Sequence, residues 1–174
     1  MVKIWTIGHS TRTSEKFLEL LKAHGIEVLV DVRTYPGSRR YPQFNREELS
    51  EYLRRHGIEY KHERRLGGRR APRPDSHNTE WRNPQFRGYA DHMETEEFKD
   101  GVRDLLELAK EKRVAVMCSE AVWWRCHRSL LADYLKAEGP EVLHILDVHK
   151  AEEHPFTSAA RIVKGKLSYR GLLG

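Results

Sequence analysis

Short apolar runs at residues 3–7, 26–32, 114–117 and 142–146 recur along this chain, separated by segments with helical periodicity. The run at 26–32 is almost continuously apolar. That is the mark of a strand buried on both faces, as in a parallel sheet covered by helices. The first helical segment, 15–23, places Phe17, Leu18, Leu20 and Leu21 on one face behind a Thr13 or Ser14 cap, and Gly25 ends it. Asn45 with Glu48 three residues later reads as a capping box for a helix over 46–56. Thr95 caps a helix to about residue 111, with Phe98, Val102, Leu105, Leu106 and Ala109 inward. A last helix covers 126–137, stopped by Gly139-Pro140. Alternation of this kind predicts a three-layer α/β fold with a mainly parallel central sheet.

A length of 174 residues suits one domain with a core that needs no disulfide staple. Within it, residues 63–93 show no sustained period and carry Gly67-Gly68, Pro72, Pro74 and Pro84, so they read as a long inserted loop. The tail, 150–174, is expected to end in a hairpin of 161–163 with 167–169 around Lys164-Gly165-Lys166. No apolar run approaches the roughly 20 residues of a membrane helix. The start runs straight into a strand pattern rather than a signal-peptide apolar region. The expectation is a cytoplasmic chain without membrane contact, whose Cys118 and Cys126 stay free thiols.

The net charge of +5 is unevenly placed. Residues 33–87 hold thirteen Arg and one Lys against seven acidic residues, so the rest of the chain is slightly acidic. A concentrated Arg-rich stretch points to an anionic small molecule or nucleic acid as partner, although a solvated surface carries such runs too. Tyr35, Tyr41 and Phe44 interleave with Arg39 and Arg40, a mix suited to stacking and phosphate contact.

In parallel α/β folds, sites gather beyond the carboxyl ends of the strands. Those ends here are His9-Ser10, Asp31 to Arg33, Cys118 to Glu120 and Asp147 to His149, and each is polar or reactive. Cys118 leaves a strand for a loop that closes on a helix N-terminus, where free amides and the helix dipole favour an anion. With Arg125 or Arg128 near, its thiol is expected to ionise more readily and to act as a nucleophile. A buried apolar cysteine is the plainer alternative. Adjacent helical side chains diverge by about 100°, so Cys126 and His127 are not expected to serve one site. His127 reads equally as a general base or as a helix-end residue. Asp31 and Arg33 form either a structural ion pair or an anion-holding group. Cys118, Glu120, Cys126 and His127 could be offered to zinc, but the Cys-x7-Cys-His spacing matches no usual structural zinc pattern. No metal or other cofactor is therefore expected.

Thr6-Ile7-Gly8-His9-Ser10, Asp31-Val32-Arg33 with Pro36 and Ser38, Leu66-Gly67-Gly68, Tyr89 with Met93, and Cys118-x-Glu120 through Cys126-His127-Arg128 together resemble the domain-of-unknown-function family 488. The resemblance spans nearly the whole chain and implies the fold and the location of the site. A looser resemblance, to rhodanese-like domains and cysteine phosphatases, rests on Asp31-Val32-Arg33 and on Cys118 with Arg125 in a Cys-x6-Arg spacing. It implies a rhodanese- or flavodoxin-like architecture and sulfur or phosphoryl transfer. Glu120 and the missing loop glycines depart from that pattern. The candidate catalytic set is Cys118, Glu120, His127 and Arg128. The candidate substrate-binding set is His9, Ser10, Asp31, Arg33, Tyr89, Arg125 and Cys126. The rival reading is a nucleic-acid or nucleotide binding domain with a structural Cys/His loop.

Overall fold

The computed structural model describes residues 1–171. Strands β1 (Lys3–Gly8), β2 (Val28–Asp31), β3 (Glu59–His62), β4 (Val114–Cys118), β5 (Glu141–Asp147) and β6 (Lys150–Glu153) form one sheet in the order β3-β2-β4-β1-β5-β6. The first five run parallel, and β6 closes one edge antiparallel to β5. Helices α1 (Ser14–Ala23), α2 (Arg46–Arg55), α3 (Pro84–His92), α4 (Glu96–Glu111) and α5 (Arg128–Ala137) accompany it. A separate hairpin pairs β7 (Arg161–Val163) with β8 (Lys166–Ser168).

Neighbouring side chains of a strand point to opposite faces, and both faces of this sheet are apolar. Val28, Val30, Val114 and Val116 pack with Phe98, Val102 and Leu105 of α4 and with Leu130, Leu131 and Leu135 of α5. Leu29, Ala115 and Met117 pack on the other side with Phe17, Leu20 and Leu21 of α1 and with Leu49 and Leu53 of α2. Each fully buried Leu or Phe contributes about 2 kcal/mol from removal of apolar surface. These two apolar layers make the three-layer α/β arrangement that the strand pattern implied.

The structure departs from the sequence reading at several places. Residues 63–93 are not all loop. Pro84 at the first turn and Asn83, whose side chain accepts the Gln85 amide, start α3, and its Gly88, Tyr89 and Ala90 are buried. Asn45 holds the N-cap position of α2 as expected but makes no side-chain cap bond; its Oδ1 takes the Ser38 amide instead and ties down the loop after β2. The last helix starts at Arg128, because Cys126 is extended. The tail adds β6, invisible to hydropathy because Lys150-Ala151-Glu152-Glu153 has no apolar run, and β8 begins one residue earlier than expected. In the sheet, Gly8 pairs with Cys118 and Asp31 with Met117, so three of the polar strand ends lie side by side.

Candidate functional site

The site is built where the β1 and β4 ladder runs on past the strands. The His9 amide donates to the Cys118 carbonyl at 3.0 Å and the Ser10 amide to the Ser119 carbonyl at 2.9 Å. These bonds hold the two exit loops side by side around a cleft of about 590 Å³, within the size range of small-molecule sites. His9, Ser10, Arg33, Cys118, Glu120, Arg125, Cys126 and His127 all line it. Asp31, Tyr89 and Arg128 do not line it and act from behind its wall.

The loop 119–127 returns the Cys126 sulfur to 2.8 Å from the Cys118 sulfur, both as free thiols. The Arg128 amide, at the free N-terminal end of α5, donates to Cys126 Sγ at 3.3 Å. His127 occupies the cap position without a side-chain cap bond. The helix amide was expected to face Cys118. It falls on Cys126 instead, and Cys118 feels it through that thiol. Cys126 and His127 do serve one cleft, because Cys126 precedes the helix in extended backbone and the helical divergence does not apply.

Arg128 is 2% exposed. One nitrogen donates to the Ala121 carbonyl at 3.3 Å, Nε has no partner, and no carboxylate pairs with it among the described residues. A buried cation without a counter-ion is costly, and the adjacent thiols can supply the missing charge. Burial opposes ionisation of Cys118, but the hydrogen bond from Cys126 and the Arg128 guanidinium outweigh it and bring the thiol down to about 7. Burial and the neighbouring sulfur push Cys126 the other way, well above the ordinary thiol range. When the pair ionises, Cys118 carries the charge and the Cys126 S–H steadies it.

His127 Nε2 donates to the Val32 carbonyl at 3.0 Å, which leaves Nδ1 as an acceptor beside Gly68, and its ring rests 4.9 Å from Tyr89. Burial lowers its pKa to about 4, so it is a neutral base near pH 7. Tyr89 is fully buried, with its hydroxyl on the Leu66 carbonyl. It supports His127 and offers nothing to a substrate. His9 stacks on Phe44 at 4.4 Å, and burial likewise lowers its pKa to about 4.

Asp31 and Arg33 form a buried bidentate pair, at 2.9 and 2.7 Å, and Arg33 also reaches the Phe44 carbonyl. Tyr60 completes the Asp31 shell. The structural ion-pair reading therefore describes them, with an edge of Arg33 left at the cleft wall. Glu120 does not turn inward toward Cys126, His127, Asp31 or His9. Its side chain is exposed at the rim and makes no bond among the described residues, while its carbonyl lies 3.7 Å from Cys118 Sγ. Among the described residues no three or more His, Cys, Asp or Glu are grouped so as to hold a metal ion.

One polar network escaped the sequence reading. Asp133 holds His154, His154 holds His144, and His144 holds Thr6, all with 1% exposure or less. Trp123 of the cysteine loop stacks on His144 at 4.8 Å and 6°, which anchors that loop to the core. His144 falls on an inward position of β5, but nothing in the chain order announces its partners.

Fold and cleft together define an α/β protein with a pair of thiols, Cys118 buried and Cys126 half-buried, at the carboxyl edge of a parallel sheet. The chain belongs to the family described as domain of unknown function DUF488, whose model matches residues 13–135. No curated protein and no solved structure matches it. Among the described residues no helix is long and apolar enough to cross a membrane.

Proposed function

We propose that this chain is a thiol-dependent enzyme acting on an anionic substrate, with Cys118 as nucleophile. The observation that carries the reading is the buried Arg128 guanidinium, unpaired by any described carboxylate, next to two sulfurs 2.8 Å apart. A purely structural pair of cysteines does not need a desolvated cation beside it. A thiolate does.

The second thiol favours sulfur transfer over phosphoryl transfer. The Cys118 thiolate attacks the terminal sulfur of a persulfide or thiosulfonate donor. The donor's S–S bond breaks, the leaving group departs with the electron pair, and Cys118 holds a persulfide. An acceptor then takes the outer sulfur and regenerates the thiolate. Arg125 and the free edge of Arg33 hold the anionic group. His127 Nδ1 takes a proton from the acceptor, and Glu120 at the rim exchanges protons with solvent. Side chains alone carry these steps, and the cytoplasm is the compartment that keeps both thiols reduced.

Iodoacetamide labelling of each cysteine across pH, followed by mass spectrometry, tests the nucleophile. Cys118 is expected to label faster than Cys126 with a midpoint near 7. Incubation with thiosulfate or a small persulfide is expected to add one sulfur atom to Cys118. Labelling at an ordinary thiol midpoint, no faster than at Cys126, would remove the nucleophile. The second reading, a nucleic-acid or nucleotide binding domain with a structural Cys/His loop, is favoured by the arginines around the mouth. Cys118→Ser separates the two, since it abolishes sulfur uptake and spares binding.

A further inference from the structure

Several arginines away from the cleft are paired: Arg54 and Arg55 with Glu51, Arg65 with Glu63 and Asp104, Arg73 with Glu94, and Arg103 with Asp100. Arg69 lines the cleft, and Arg64 and Arg40 lie against its wall tyrosines Tyr35 and Tyr41. These three and Arg39, next to Arg40 in the chain, are exposed and make no ion pair or side-chain hydrogen bond among the described residues. Among the described residues, Glu120 is the one carboxylate on the cleft wall. No carboxylate neutralises these four guanidiniums among the described residues.

Two tyrosines on the cleft wall stand among these arginines. Tyr35 lines the cleft with 61% of its surface open to solvent, and the Arg64 and Arg69 guanidiniums each lie 5.6 Å from its ring. Tyr41, also on the wall, has Arg40 at 5.8 Å. Burial does not explain a ring held open in this way. An open ring flanked by planar cations is a platform for another flat ring. The charges spread over two loops, 33–45 and 64–70, which exceeds what a single phosphate would use.

We propose that the mouth of the cleft binds a single-stranded polynucleotide. Bases stack on Tyr35 and Tyr41, and Arg39, Arg40, Arg64 and Arg69 neutralise successive phosphates. One base, out of the stack, enters the cleft toward Cys118. The placement of that base against a reactive thiol rests on the thiol reading, while the binding does not. Unstacked bases are required because the platforms are ring faces, which a duplex keeps covered by its own stacking.

The test uses labelled single-stranded RNA and DNA of about ten nucleotides and the matching duplex. Inorganic polyphosphate and anionic phospholipid vesicles serve as competitors. Single strands are expected to bind. Affinity should fall roughly 50-fold between about 50 and 200 mM salt, as four phosphate contacts require. Tyr35→Leu, at an exposed position that folding does not use, should weaken binding about tenfold, the loss of one stacked base. The RNA and DNA arms tell which sugar is preferred, and binding of either supports the site. Duplex, polyphosphate or vesicles bound as tightly as the single strand would overturn it, as would a Tyr35→Leu variant with unchanged affinity. Cys118→Ser should bind like the parent. If it does while Cys118 shows ordinary reactivity, the polynucleotide site stands and the thiol reading falls. Enhanced reactivity without strand binding gives the converse.

Discussion

A methyl group placed on Gly8 would stand 1.6 Å from the carbonyl oxygen of Glu120. The loop that follows Cys118 is therefore pressed onto the backbone of β1, and the Arg12 guanidinium takes the Gly8 carbonyl. The cysteine loop owes its position to the absence of a side chain. Gly8→Ala is expected to cost about 3 kcal/mol through overpacking against main chain that has no free direction to move. It should also raise the labelling midpoint of Cys118, because the loop carries Cys126 away from it. Urea melts and the pH profile of alkylation report the two effects, and a loss below about 0.5 kcal/mol would show that the loop is not pressed down.

Arg128→Met separates charge from packing. Without the guanidinium, the Cys118 midpoint should rise by at least about one unit, and its labelling near pH 7 should slow at least about fivefold. Stability near neutral pH should hold or improve by about 1 kcal/mol, since a desolvated cation without a carboxylate is removed. The sign with pH follows from a thiol held below its ordinary value. Its contribution is full above the unfolded thiol value and is lost as pH falls through about 7. The variant should flatten that slope. A Cys118 midpoint unmoved by the substitution would mean that Arg128 does not stabilise the thiolate.

Periodicity made the architecture readable because burial on both faces writes itself into strands such as Val114-Ala115-Val116-Met117. Where burial is one-sided or absent the signal fails, as in β6 on its edge. For α3 a signal was present in Asn83-Pro84, a cap followed by proline, but Gly88 and the surrounding prolines masked it. That glycine is there for contact, since a Cβ would lie 1.9 Å from the Arg70 carbonyl. The strand-end residues located the cleft, yet their division of labour was hidden. Whether Arg128 has a counter-ion, or which way Glu120 turns, depends on neighbours that chain order does not supply. Nor could a bond between Thr6 and His144, which lie 138 residues apart, be read locally.

Three histidines set the acid limit of the fold. Burial brings His9 and His127 to about 4 and carries His144 further down, so the folded state keeps them neutral while the unfolded chain protonates them near 6.5. Folding stability is thus full above about 6.5 and falls as pH drops, with the loss from His9 and His127 developing between 6.5 and about 4. Melting temperatures measured at close pH intervals should fall steeply across that window. His127→Gln should make the fall shallower while slowing any sulfur transfer. A melting temperature flat from pH 7 to 4.5 would contradict the neutral, buried state of these rings.

Asp133 fixes the direction of the longest polar chain in the core. It accepts from His154 Nε2 at 2.8 Å, from the Thr157 amide at 3.0 Å, from the Thr157 hydroxyl at 2.6 Å and from the Tyr169 hydroxyl at 2.7 Å. All four partners donate, so a carboxylate satisfies them and an amide does not. With its Nε2–H committed to Asp133, His154 presents Nδ1 as an acceptor to the Nε2–H of His144 at 2.8 Å. His144 then accepts the Thr6 hydroxyl through Nδ1. One carboxylate therefore sets two tautomers and ties the tail around residues 154–169 to β1 and β5. Asp133→Asn turns an N–H₂ toward donors and should cost about 3 kcal/mol, the scale of a broken buried polar network. Amides around Thr157 and Tyr169 should lose hydrogen-exchange protection before those of β4. Nitrogen chemical shifts of the imidazoles decide the direction. Both rings should show the Nε2–H tautomer in the parent protein, and an Nδ1–H form of His144 would reverse the order of donors proposed for the chain.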